Sequence, residues 1–234
     1  MSKKGWIIFV AIVVILFGTL IYFSGRNRVE VGEVDATAIQ PPSEASGNIG
    51  DRVFGNPDSD VVLIEYGDFQ CPGCGGAHPT VKTLSEKYKD DIAFVYRNFP
   101  LTSIHQNARF AAAAAEAAGL QDAYWPMHNR IFETQSSWEN LGADERSDYF
   151  INAARDLGLD TEAFTSAISD PRISQKINFD QSLARKVGVN STPTFYLNGT
   201  LLEQDTWGDD AAFEAAIVAE IEAKGGETNA QPAQ

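Results

Sequence analysis

The chain holds two cysteines, and both fall in one stretch, LIEYGDFQCPGCGGAHP (residues 63–79), as Cys71 and Cys74. Two thiols separated by two residues can form half of a metal site, a static staple or a reversible redox couple. A structural zinc site takes four ligands. Only His78, His105 and His128 are available to join the cysteines, and none is spaced as a second half-site. A disulfide that closes so short a ring constrains little chain. Dithiol exchange suits the pair best, provided that the neighbouring elements place it correctly.

Those elements are legible. VVLIEY (61–66) is apolar on both faces, as a central buried strand should be, and Val81, Leu84 and Tyr88 follow at helical spacing. Cys71 then stands at a helix start, where unpaired N–H groups and the helix dipole favour a thiolate. That makes Cys71 the attacking sulfur, and Cys74, one turn in, the thiol that resolves a mixed disulfide. Pro72 fits a first turn, where its missing N–H costs nothing, and Gly73 leaves room over the sulfurs for a substrate chain. Glu65 interrupts the apolar strand. Buried near the thiols it would hold a raised pKa and relay the Cys74 proton; the alternative is a strand-end carboxylate that reaches water. Asp68 reads as a surface or loop-capping residue and His78 as a partly buried helix residue. Tyr66, Phe69 and Phe99 read as an apolar rim around the thiols or as core.

Stepping outward, IAFVY (92–96) is a second strand, and strand–helix–strand at this spacing implies a parallel crossover. From Thr102 to Val187 the pattern is helical. Ile104, Ala108, Ala111 and Ala115 mark one helix, Tyr124, Trp125, His128 and Phe132 another. Helices over 144–157 and 163–168 follow, then one opened by an Asp170-Pro171 cap. Strand character returns at TFYL (194–197), with a hairpin signal at Asn198-Gly199. A last helix from about Asp209 buries Phe213, Ile217 and Ile221.

Trp6 to Phe23 carries no charge and approaches the roughly 20 apolar residues that span a bilayer. With no A-x-A-like cleavage site after it, it reads as a single transmembrane anchor behind a short flank (1–5). Lys3 and Lys4 against Arg26 and Arg28 nearly tie the orientation count. The reading is a single-pass cell-membrane protein with a cytoplasmic N-terminus and the catalytic domain outside the cytoplasm. Residues 24–50, with Pro41-Pro42, read as a flexible linker, and 225–234 as a disordered tail. All 32 acidic residues follow the anchor; without its four flanking bases, 14 of the 18 basic residues remain, a balance near −18. Such acidity argues against nucleic acid as a partner and against a domain lying on an anionic membrane surface.

EYGDFQCPGC and, far downstream, GVNSTPTFYLNG together resemble the thioredoxin superfamily, and most closely its DsbA-like branch of extracytoplasmic thiol:disulfide oxidoreductases. The resemblance spans about residues 50–224. It implies an α/β thioredoxin-like domain (51–101 and 188–224) with an inserted all-helical subdomain (102–187). It also implies Cys71 and Cys74 as the active pair and Pro193 as a cis-proline facing them. Thr192 would offer its backbone to an extended substrate, Glu65 would be the buried acid, and Phe69, Pro72 and Gly73 would complete the substrate contacts. No cofactor or metal is expected. The branch's best-known pattern has histidine where this chain has Gly73, which leaves the direction of electron flow open. The leading expectation is an oxidase that gives its disulfide to reduced or misoxidised secreted or surface proteins and is recharged by a quinone-linked membrane partner. The alternatives are a reductase or isomerase kept reduced by a membrane donor, and a noncatalytic peptide-binding module.

Overall fold

A computed structural model describes residues 3–25, 31–32 and 34–225. Its sheet has five strands in the order β1-β3-β2-β4-β5. At its centre β2 (Val62–Gly67) runs parallel to β3 (Ala93–Asn98) and antiparallel to β4 (Thr194–Leu197). β5 (Thr200–Leu202) closes one edge as the hairpin partner of β4. At the other edge β1 (Val53–Gly55) pairs antiparallel with β3. β1 is three residues long and ends in glycine, too little pattern to mark it as a strand. The crossover from β2 to β3 is α2 (Pro72–Lys87), which runs through Pro79 as one helix.

The pleat sorts the side chains into two cores. Leu63, Phe94, Tyr96, Phe195 and Leu197 join one core with Val81 and Leu84 of α2. The same core takes Phe213, Ile217 and Ile221 from the last helix, α10 (Asp210–Ala223). Ile64, Tyr66, Val95 and Tyr196 join the other. Between β3 and β4 lies the helical block: α3 (Ala108–Gly119), α4 (Tyr124–Glu133), α5 (Gln135–Trp138), α6 (Ala143–Asp156), α7 (Thr161–Ile168) and α8 (Pro171–Lys186). The short α9 (Gln204–Trp207) precedes α10. The alanines of α3 are almost all buried, and Phe179 and Leu183 of α8 cover the second face of the sheet. The block starts later than its pattern suggests: Ile104 lies before α3 and is 72% exposed.

The N-terminal expectations need correction. The first helix is α1 (Lys3–Gly25), but among the described residues no helix is long and apolar enough to cross a membrane. The transmembrane anchor is therefore overturned, and the single-pass membrane location that rested on it falls too.

The expected linker is also different where it is described. Ala36, Gln40, Ser46 and Ile49 are buried, so this segment is a strap packed on the domain rather than a tether. Arg97 fastens it, donating to the Ala36 carbonyl, to the Ala38 carbonyl (2.6 Å) and to Asp51 Oδ2 (2.7 Å). Lys176 from α8 donates to Asp51 Oδ1 (2.9 Å) and Asp180 Oδ1 (2.6 Å), all at buried positions. Residues 26–30 and 33 of the linker and 226–234 of the expected tail lie outside the described residues.

Candidate functional site: the Cys71–Cys74 pair

β2 delivers the chain to the site. After Gly67 it turns through Asp68, Phe69 and Gln70, and Cys71 becomes the N-cap residue of α2 with Pro72 opening the helix. Both cysteines are free thiols. Cys71 is 9% exposed and Cys74 only 1%, while Pro72 and Gly73 lie open to solvent. An incoming sulfur therefore reaches Cys71 and not Cys74. The Cys71 thiol donates to the Thr192 carbonyl at 3.3 Å, and the Thr192–Pro193 peptide is cis. The far-downstream motif thus forms one wall of the site. A Cβ at Gly73 would lie 3.2 Å from Pro193 Cδ and 3.6 Å from Cys71 Sγ, so glycine keeps this wall close to the sulfur.

The electrostatics separate the two thiols. Cys71 is pulled down to about 5, chiefly by the Cys74 thiol as donor; burial opposes this, and the Thr192 side chain and the N–H groups of Cys74 and Gly73 assist it. Cys74 is pushed well above its ordinary value by burial, by its bond to Cys71 and by the nearby Glu65 charge. Glu65 is 2% exposed, with Oε1 lacking a hydrogen-bond partner. Burial, then the Cys71 charge, raise its pKa to about 8, against a weaker pull from Cys74. The carboxyl is therefore inside, beside the pair, and holds a proton at neutral pH.

Other expected residues land elsewhere. Phe69 is buried in an aromatic cluster with Tyr96 (ring centroids 4.8 Å) and Phe132 (4.9 Å), so it supports the loop from beneath and offers substrate no surface. Tyr66 lies on the opposite face, bonded to Arg97, and Phe99 joins the same core; neither forms a rim. His78 stacks on Phe132, and burial lowers its pKa to about 4. Asp68 is no surface residue: it is buried and accepts from Gln70 N, Leu101 N and the His105 ring, each at 2.8 Å. Among the described residues, no group of three or more His, Cys, Asp or Glu is placed to hold a metal ion.

The helical block grips the loop through side-chain amides that carry no sequence signal. Gln135 Nε2 donates to the Phe69 carbonyl (2.8 Å) and the Cys71 carbonyl (2.9 Å). Gln70 donates to the Glu139 carbonyl (2.7 Å) and accepts from Asn107 N (2.7 Å). Gln135 thus adds a donor to two loop carbonyls, and Gln70 ties the loop to a block carbonyl and to the N–H of Asn107 ahead of α3.

Comparison with known proteins agrees with this geometry. Residues 47–217 match a family model described as Thioredoxin (Thioredoxin_4). A thioredoxin-like oxidoreductase from Silicibacter pomeroyi DSS-3 is 28% identical, with a TM-score of 0.57 over 74% of this chain and 97% of that one. Oxidised BdbD from Bacillus subtilis shares the fold at 22% identity and a TM-score of 0.64, over 79% and 98% of the two chains. Wolbachia pipientis alpha-DsbA1 does so at 24% and 0.62, over 74% and 94%. Among longer relatives, a Na(+)/H(+) antiporter NhaA 1 of Salinispora arenicola is 40% identical over 149 residues, 64% of this chain and 22% of that protein. An antiporter NhaA of Herminiimonas arsenicoxydans is 30% identical over 188 residues, 80% of this chain and 28% of that protein. The chain thus spans less than a third of these relatives. The chain belongs to this thioredoxin family, and a cysteine at the start of α2, its partner one turn in and a cis-proline opposite support thiol–disulfide exchange chemistry on a DsbA-like fold.

Proposed function

We propose that the pair works as an oxidase, passing its disulfide to reduced or misoxidised proteins. The observation that carries this direction is the depressed pKa of Cys71, about 5. Stabilising the thiolate stabilises the reduced protein, which makes the disulfide a stronger oxidant, and a low-pKa thiol is also the better leaving group. Glycine at position 73 removes one thiolate-stabilising side chain, but the Cys74 thiol and the N–H groups of Cys74 and Gly73 still act on the sulfur.

In the forward step a substrate thiolate attacks Cys71 Sγ, the S–S bond breaks, and Cys74 leaves and takes a proton. Glu65, protonated at neutral pH, is the nearest source of that proton. The second substrate thiolate then attacks its own mixed-disulfide sulfur and releases Cys71 as a thiolate. The substrate loses two electrons and two protons; the pair keeps both electrons and one proton, and the other proton goes to solvent. Turnover therefore requires an external two-electron acceptor, for which a quinone-linked partner is our proposal. Pro72, Gly73, Thr192 and Pro193 surround the reacting sulfur as the substrate-contact set.

Equilibration with glutathione and refolding of a reduced, disulfide-containing protein test the reading together. The oxidase reading expects a potential above the glutathione poise and a gain of native disulfides. A potential near −270 mV, about that of a dedicated reductant, sinks it. Cys74→Ala should accumulate mixed disulfides through Cys71. A noncatalytic peptide-binding module instead keeps its activity in Cys71→Ser.

A further inference from the structure

A cleft of about 360 Å³ opens in the helical block where α3, α6 and the α7–α8 junction meet. Phe110, Ile168, Ile173 and Ile177 give it apolar walls, and Arg109 and Arg146 border it. The chain carries 32 acidic residues against 18 basic ones, yet among the described residues neither arginine forms an ion pair with a carboxylate. Burial alone acts on both guanidinium groups, and no neighbouring acid offsets it.

Both groups keep unused donors. Every hydrogen bond of Arg109 leaves from Nη2, to the Ser174 carbonyl (3.3 Å), Ser174 Oγ (3.0 Å) and Asn178 Oδ1 (2.8 Å). Arg146 uses Nη1 on Asn107 Oδ1 (3.0 Å) and lies 4.1 Å over the Phe110 ring. Its Nε is buried with no partner. Arg109 Nη1 and Arg146 Nη2 make no hydrogen bond to the described residues, and an unpaired donor on a partly buried cation is costly. The guanidinium fork matches a carboxylate, while the isoleucine and phenylalanine walls suit an apolar body and would leave a polyhydroxylated phosphate ester unsolvated.

We propose that this cleft binds a carboxylate carried on an apolar body, held between Arg109 and Arg146. The volume falls within the roughly 300–1,000 Å³ of small-ligand pockets. A free medium-chain acid and the C-terminal carboxylate of an apolar peptide share this chemistry. The site does not touch the sulfurs, so this inference and the oxidase reading fail independently.

Calorimetric titration of the full chain with octanoate, with octanol, and with an apolar pentapeptide bearing a free or an amidated C-terminus tests it. We expect at least one carboxylate form to bind, its neutral counterpart to bind tenfold or more weakly, and Arg109→Met or Arg146→Met to weaken it at least tenfold. Tighter binding of octanoate assigns the cleft to free acids; tighter binding of the free-ended peptide assigns it to chain ends. Absence of binding by both carboxylates at millimolar concentration overturns the proposal, as does equal binding of the neutral forms. Circular dichroism checks the folding of each variant. Should Arg146→Met not fold, Arg146→Lys keeps the charge without the fork and should still weaken binding; unchanged affinity in Arg146→Lys and Arg109→Met refutes the site.

Discussion

The potential of the Cys71–Cys74 couple should change its pH slope near pH 5. Cys71 is held down to about 5 while Cys74 stays well above its ordinary range. Below pH 5, reduction adds two protons with two electrons; above it, only Cys74 takes a proton. Those stoichiometries correspond to about −59 and −30 mV per pH unit. A depressed thiol pKa stabilises the reduced form fully above the ordinary value near 9, and the stabilisation is lost as pH falls through 5. At pH 7 two of the four decades are realised, a hundredfold effect or about 60 mV. Cys71 sits at the rim of the site, so solvent screening trims this toward about 30 mV. Equilibration with glutathione from pH 4 to 7, below the Glu65 titration, reads the slope directly. Cys74→Ala removes the largest cause of the shift, so the thiolate absorbance of Cys71 near 240 nm should then titrate at higher pH. An unbroken −59 mV per unit through pH 7 refutes the thiolate argument and the oxidase direction with it.

Four further outcomes are expected. Because burial raises Glu65 from 4.5 to about 8, its cost to the fold is absent below pH 4.5 and complete above 8. Denaturation of Glu65→Gln should therefore show a stability gain that grows over that window to a few kcal/mol, while exchange turnover at pH 7 falls by up to ~100-fold. A Cβ at Gly67 would sit 2.7 Å from Cζ and from the hydroxyl of Tyr96; Gly67→Ala should cost about 1–3 kcal/mol, partly recovered by Tyr96→Leu in the same chain. Lys176→Met leaves Asp180 buried without its cation and Asp51 with Arg97 alone, a loss of about 3–5 kcal/mol measurable by urea denaturation. Gln135→Ala strips the Phe69 carbonyl of its side-chain donor and leaves the Cys71 carbonyl with Gly75 N alone; it should cost about 1–3 kcal/mol, with faster hydrogen exchange at the amides of Phe69 to Cys71.

The order and type of the central elements were legible because their signals are local. Strand β2 is an apolar run broken only by Glu65, Asp170-Pro171 caps α8, where the Asp170 side chain accepts from Arg172 N, and Asn198-Gly199 turns the hairpin between β4 and β5. The site was legible for the same reason, as Cys71, Cys74 and Pro193 lie within recognisable motifs. Glu65 was visible as a charge in an apolar strand. What stayed hidden depends on partners far along the chain. Nothing in DATAIQPPSEASGNIG announces that Arg97 will be buried against it, so the segment read as a tether. Gln135, Gln70 and Asn107 act through amides that look like ordinary surface polarity until the block folds over the loop. Phe69 was misplaced because an aromatic residue beside the thiols reads equally as a rim or as a floor.

The strap also implies an order of assembly. The partners that fasten Arg97 to it lie 46 to 61 residues away in sequence, whereas β2 and β3 are joined by one helix. Loop closure favours the nearer pairing first. Until the strap arrives, the charged end of Arg97 must stay in water, and the face of the sheet carrying Ile64 and Val95 remains partly uncovered. Docking of residues 36–51 is thus the step that dehydrates the last charges. A protease cut within that segment should reopen this face while leaving the sulfurs, on the other side of the sheet, in place.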